Sequence, residues 1–88
     1  MELKELEYLI AIAEEKSISK AAERLFMAQS SLSQSLHSME AELGGTLFIR
    51  TSSGVRPTES GKIAIEVAQK MLLEYHQLKA KISDTEGL

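Results

Sequence analysis

The chain has 88 residues, no cysteine, and a formal charge of −3 from 10 basic and 13 acidic side chains. That length fits one small domain and excludes a multi-domain enzyme; without cysteine there is no disulfide framework, thiolate zinc site or cysteine nucleophile, and the cytoplasm is the expected compartment. The opening stretch carries Glu2, Glu5 and Glu7 and no long apolar run, so neither a signal peptide nor a membrane span is expected.

Leu3, Leu6, Leu9, Ile10 and Ala13 form one apolar stripe at helical period and predict a first helix. Ser17 and Ser19 interrupt it, and Ser19 is read as the N-cap of a short second helix, Lys20 to Phe26, that buries Ala22 and Leu25. Leu32, Leu36, Met39 and Leu43 then share one face of a third helix, which Gly44-Gly45 closes. Thr46 to Arg50 and Val55 to Pro57 read as a β-hairpin with Gly54 in its turn, Pro57 forbidding further pairing. Thr58 is a plausible N-cap for a fourth helix that runs to about Ser83. At 1.5 Å per residue that helix spans about 39 Å, more than the diameter of so small a domain, so part of it must project. The tail Asp84 to Leu88 is expected to fray.

A short helix, a tight turn and a second amphipathic helix are the parts of a helix-turn-helix, whose second helix can enter a major groove. Residues 16–62 hold six bases and four acids, against five acids and one base in residues 1–15 and four acids and three bases in residues 63–88. A basic middle remains compatible with DNA despite the negative total, because phosphate contacts respond to local field. Opposite the apolar stripe of the third helix lie Ser30, Gln34, His37 and Ala41, flanked by Ser33 and Ser38, with Gln29 at the entry. Residues 25–39 carry no Lys, Arg, Asp or Glu at all. Surface helices normally carry Lys and Glu, so a neutral row of short donors and acceptors points to base edges, with Gln29, Ser30, Ser33, Gln34 and His37 as the reading set. The bland alternative is a serine-rich solvated face. Arg50 and Arg56 bracket the hairpin loop as expected backbone contacts; Ser31, Ser53, Thr58 and Lys62 complete that set.

On the fourth helix Ala64, Met71 and Leu78 repeat every seven residues, and Ala68, Tyr75 and Ile82 follow four later, an a/d seam for a second copy of the chain. Ile63, Ile65, Val67, Leu72 and Leu73 form a flank expected to cover the body. Three patterns are decoys. Ser17-x-x-Lys20 lacks the further motifs of a serine acylase, and Gly61-Lys62 lacks both the leading glycine and the following hydroxyl of a phosphate loop. His37 and Glu40 are two metal ligands at most, with His76 the only other histidine, so no metal and no cofactor are expected.

Five blocks in order carry a family resemblance: Ser17-Ile18-Ser19-Lys20-Ala21-Ala22-Glu23-Arg24-Leu25, Gln29-Ser30-Ser31-Leu32-Ser33-Gln34, Glu40-x-Glu42-Leu43-Gly44, Leu47-Phe48-x-Arg50 and Thr58-Glu59-Ser60-Gly61. Together they resemble the N-terminal DNA-binding domain of LysR-type transcriptional regulators over nearly the whole chain. The resemblance implies a dimer through the long linker helix, an interrupted inverted repeat as target, and a small-molecule inducer bound by a C-terminal effector domain that this chain lacks. The family often has arginine where Gln34 stands, proline where Ser30 stands and a second basic residue near Ser53. The expectation is therefore a mainly α winged helix-turn-helix, a three-helix core plus hairpin wing over residues 1–58, with a linker and dimerisation helix over 59–88. Its function would be sequence-specific binding of double-stranded DNA without catalysis. A helical protein-interaction adaptor working through the apolar linker helix is the rival, and a hydrolase ranks last for want of a cleft in so short a chain.

Overall fold

The computed structural model describes residues 1–87, and its elements follow the chain as α1 (Leu3–Glu15), α2 (Ile18–Arg24), α3 (Gln29–Leu43), β1 (Phe48–Thr51), β2 (Gly54–Pro57) and α4 (Glu59–Glu86). This is a mainly α winged helix-turn-helix with a long last helix. A capping box starts α1: the Glu2 side chain accepts the backbone N–H of Glu5, and the Glu5 carboxylate accepts that of Glu2 at 2.8 Å. Packing against α2, α3, α4 and β2 makes α1 the hub, and its buried set is Leu6, Leu9, Ala11 and Ile12. The expected stripe is thus only part of the core face: Leu3 is exposed, and Ile10 and Ala13 are half-buried. A helix covered on several sides buries more than one row.

Ser17 caps α2, in place of the expected Ser19, because its oxygen reaches the Lys20 N–H at 3.1 Å, while the Ser19 hydroxyl meets that of Ser17. The helix therefore begins at Ile18 and buries Ile18, Ala21 and Ala22, leaving Leu25 half-buried. It also ends before Phe26. That residue has φ 56° in the left-handed region; its N–H goes to the Glu23 carbonyl, and the Met27 N–H to that of Ala22. These are the two hydrogen bonds of a Schellman cap, with phenylalanine where glycine is usual. Arg24 ties α2 to α1 through Glu14 at 2.8 Å and Glu15 at 3.3 Å. The hydrogen bond that the guanidinium donates to the Glu14 carboxylate chiefly raises its already high pKa.

Leu32, Leu36 and Met39 anchor α3 in the core, but Leu43, expected in the same stripe, is exposed because the helix end runs past the body before Gly44 stops it at φ 79°. The wing pairs Phe48 with Pro57, Ile49 with Arg56, Arg50 with Val55 and Thr51 with Gly54. Its first strand starts two residues later than expected: the Leu47 N–H goes to the Glu40 carboxylate at 2.6 Å instead of across the hairpin, and only its carbonyl, which accepts the Thr58 N–H at 2.9 Å, continues the pairing. Gly54 belongs to β2 and not to the turn. Its φ of 140° is open to glycine, and a Cβ there would collide with the Lys16 carbonyl oxygen, which accepts the Val55 N–H at 3.0 Å.

Thr58 caps α4 by accepting the Gly61 N–H at 2.9 Å. Its 28 residues correspond to about 42 Å in a molecule 53 Å long, so the helix projects as expected. It continues through Asp84, Thr85 and Glu86, which the sequence assigns to a frayed tail; Leu88 lies outside the described residues. Gly61, Ala68 and Leu72 press α4 against the body.

Candidate nucleic-acid interface

Four of the five residues expected to read bases, Gln29, Ser30, Gln34 and His37, are exposed on one face of α3, and Ser33 is half-buried on the side nearer the wing. The helix starts without help from a side chain: its N-cap is Ala28, which offers no capping hydrogen bond. The first helical bond near that end runs from the Leu32 N–H to the Ala28 carbonyl, so the N–H groups of Gln29, Ser30 and Ser31 point outward without intrahelical partners. Those groups, with the positive end of the helix dipole, can hold an anion beside the neutral row.

The wing stands next to this face. Arg50 and Arg56 are exposed, and neither makes an ion pair among the described residues. They do not act side by side, however. Cross-strand partners share a face of a hairpin, so Arg50 lies with Val55 and Phe48 toward the body, and Arg56 lies with Ile49 on the other side. Between α3 and the wing is a small hollow of about 60 Å³, lined by Ile18, Ser33, Leu36, His37, Glu40, Phe48, Arg50 and Val55. The Glu40 carboxylate holds the two elements together by accepting the Leu47 N–H at 2.6 Å and, at 3.5 Å, that of Phe48. Ser53 is exposed in the wing turn, where its N–H donates to the Thr51 hydroxyl at 3.3 Å.

Thr58 has other work than the expected phosphate contact. Its hydroxyl donates to the carbonyls of Thr46 and Leu47 and accepts from Gly61, which leaves it inside the joint between wing and α4. Lys62 is exposed and pairs with Glu59 at 3.2 Å, a weak surface pair that an anion could replace.

The expected seam on α4 needs a correction of frame. Ala68 is 1% exposed in the chain's own core, and Ala64 is half-buried against it. The small side chains let α4 lie close to α1, so they serve the body. Ile63 and Val67, expected to cover the body, are exposed, as is Leu73. Ile65 and Leu72 do pack inward. The bare row is thus Ile63, Val67, Met71, Leu78 and Ile82, with Tyr75 at its edge, its ring 5.6 Å from the Lys79 ammonium and 5.7 Å from the His76 ring. The first three border an apolar groove of about 650 Å³, shared with Met1, Leu3, Leu6, Leu9, Leu43, Gly44 and Leu47. A hollow of ligand size therefore exists, where the sequence reading left no place for one; it forms because α4 leaves the body between the start of α1 and the end of α3.

Sequence reasoning missed Ile63 and Val67 as surface residues and Glu40 as the link from α3 to the wing. The only signal for Glu40 was its place in the Glu40-x-Glu42-Leu43-Gly44 block. Among the described residues no group of three His, Cys, Asp or Glu could hold a metal, and no helix is long and apolar enough to cross a membrane.

Comparison with known proteins gives consistent results. Residues 3–62 match the model of the family described as bacterial regulatory helix-turn-helix protein, lysR family. The chain is 39% identical over 87 residues to the uncharacterized HTH-type transcriptional regulator YkuM of Bacillus subtilis (strain 168), covering 99% of this chain and 30% of YkuM. It is 40% identical over 86 residues to the HTH-type transcriptional regulator PgrR of Escherichia coli (strain K12), covering 98% and 29%. The solved complex of the BenM DNA-binding domain with catB site 1 DNA superposes with a TM-score of 0.91 at 36% identity, covering 97% of this chain and 96% of that one. The chain thus spans about three-tenths of the length of these curated relatives.

Proposed function

The chain belongs to the LysR family of bacterial regulatory helix-turn-helix proteins, and from that premise we propose that it binds duplex DNA in a sequence-dependent way as the DNA-binding part of a transcription regulator. One observation carries the reading. The exposed start of α3 offers uncapped N–H groups and an uncharged polar face beside a wing whose arginines make no ion pair among the described residues. In this reading α3 enters the major groove, Gln29, Ser30, Ser33, Gln34 and His37 meet the base edges, and Ser31, Arg50, Ser53 and Arg56 hold the flanking phosphates, with Lys62 as a weaker contact.

The bare row on α4 supports pairing with a second copy, whose own row would cover Ile63, Val67 and Met71 and enter the apolar groove. Two linked modules would reach the two halves of an inverted repeat, and linkage raises the effective concentration of the second. Residues 1–58, closed by the packed first half of α4 through Leu72, act as the DNA-binding unit, and the helix beyond Leu72 as linker. The activity is binding without catalysis, in the cytoplasm, and any inducer acts through an effector domain that follows α4 in the longer protein.

Salt distinguishes this reading from the adaptor. Binding through several phosphates weakens steeply with ionic strength, whereas an apolar helix interface barely responds. The test is a titration of the chain with duplex DNA over a range of salt concentrations. A linear loss of log affinity with log salt is expected, shallower by about one unit after Arg50→Ala. A flat line would end the DNA reading.

A further inference from the structure

The whole of α3 carries neither Lys nor Arg, and its only acids, Glu40 and Glu42, stand in its last turn. There the Glu40 carboxylate accepts the Leu47 N–H and Glu42 pairs with the N-terminal ammonium at 3.0 Å. Arg24, the last cation before α3 in the chain, is held by Glu14 and Glu15 at 2.8 and 3.3 Å. The exposed row of α3 therefore lacks the groups that read two of the four bases by charge. Guanine turns two acceptors, N7 and O6, into the major groove and suits a cationic fork; cytosine turns out a single donor, N4, and suits a carboxylate. An amide is what remains. Gln29 opens the helix beside the free N–H groups, whereas Gln34 stands within the row, exposed among Ser30, Ser31, His37 and Ser38 one turn away on either side. The Gln34 amide hydrogen-bonds to no other group among the described residues. It presents one acceptor beside one donor, and adenine alone among the bases answers with a donor, N6, beside an acceptor, N7.

We propose that Gln34 selects adenine, so that the base pair it faces in each half-site is A·T and a G·C pair in its place is disfavoured by about tenfold. The inference rests on the DNA reading above and deepens it, from a polar face that meets base edges to the identity of one base. Rejection has a physical cause. Against guanine the amide oxygen would oppose O6, and two acceptors left facing each other after water is expelled are each without a partner. An A·T preference can also arise without any base contact, from the narrow minor groove of A·T-rich sequence. The two origins differ in which groove carries the signal.

The experiment sequences the duplexes that the parent chain retains from a pool with a randomised centre, then repeats the selection with Gln34→Ala and Gln34→Arg. One A·T position in each half-site should lose its preference in Gln34→Ala and turn to G·C in Gln34→Arg, while the other enriched positions persist. Modified pairs at that position then separate the grooves. A diaminopurine·thymine pair keeps the major-groove edge of A·T and should bind the parent as A·T does. An inosine·cytosine pair joins the major-groove edge of G·C to the minor-groove edge of A·T and should bind about tenfold more weakly. Circular dichroism melts of both variants should match the parent chain. The inference is overturned if Gln34→Ala keeps every preference, if the position it governs is not A·T, or if inosine·cytosine binds like A·T. It is equally overturned if Gln34→Arg strengthens binding to all duplexes alike, the mark of a phosphate contact. Salt-dependent retention with no enriched position would overturn it and leave binding to the backbone alone. Salt-independent binding, or none, would overturn the DNA reading and the inference with it.

Discussion

The two halves of α4 follow opposite rules. From Glu59 to Leu72 the helix is built for close approach: Gly61, Ala68 and Leu72 are buried, and Ala64 and Ile65 pack beside them. After Leu72 nothing on it is buried, although Leu73, Tyr75, Leu78 and Ile82 are apolar. Hydrophobicity alone does not separate the halves. Their surroundings do: the first half has the body on one side, where Gly61, Ala68 and Leu72 are buried while Ile63, Val67 and Met71 on another side stay bare. The second half has no body beside it, so that its large apolar side chains mark a face the chain cannot cover by itself.

That contrast can be broken at its tightest point. A Cβ on Gly61 would overlap the Leu47 carbonyl oxygen, which is backbone and cannot rotate away. Gly61→Ala should therefore cost about 3 kcal/mol of stability, read from denaturant midpoints, although alanine is the better helix former. Leu72→Ala should cost somewhat less, about 2 kcal/mol, because the side chain sits at the margin of the core where neighbours can relax. In the distal half the rule reverses. Replacing Leu78 and Ile82 together by aspartate should change the stability of the unpaired fold by less than about 1 kcal/mol while shifting sedimentation from dimer to monomer. Should that variant still pair, the bare row is not the interface. At the start of α3, Gln34→Ala should leave stability within about 0.5 kcal/mol and relax preference at one base pair, measured as the ratio of affinities for selected and scrambled duplexes.

Much of the architecture was legible in the sequence because it is written in periodicity. The Leu32, Leu36, Met39 pattern and the lone Pro57 place α3 and the end of the wing without ambiguity. Where the reading slipped, the deciding fact was a distance in space. Ser17 and Ser19 are equally good N-caps by type, and only the geometry of the turn selects Ser17. The heptad frame on α4 was displaced because Ala64 and Ala68 fit a coiled-coil seam and an intramolecular contact equally well, and only the position of α1 decides. The reading face of α3 was legible because its lack of charge departs from what an ordinary solvated helix carries. Thr58 was not: a threonine between Pro57 and Glu59 looks available, and its three internal hydrogen bonds depend on where Thr46, Leu47 and Gly61 come to rest.

The attachment of the wing has a consequence for how the chain comes to be folded. Two strands of four residues do not hold together alone in water. This pair is fastened by the Lys16 carbonyl on one side and the Glu40 carboxylate on the other, groups that reach their positions only when α1 has ended and α3 has docked. The hairpin must therefore form late, after the helices have assembled. In native-state hydrogen exchange, the amide protons of Leu47 and Val55 should be released with opening of the whole body, while that of Ser53 exchanges through local fraying. Although the wing is the most peripheral part of the domain, its anchored amides would thus report the opening of its centre.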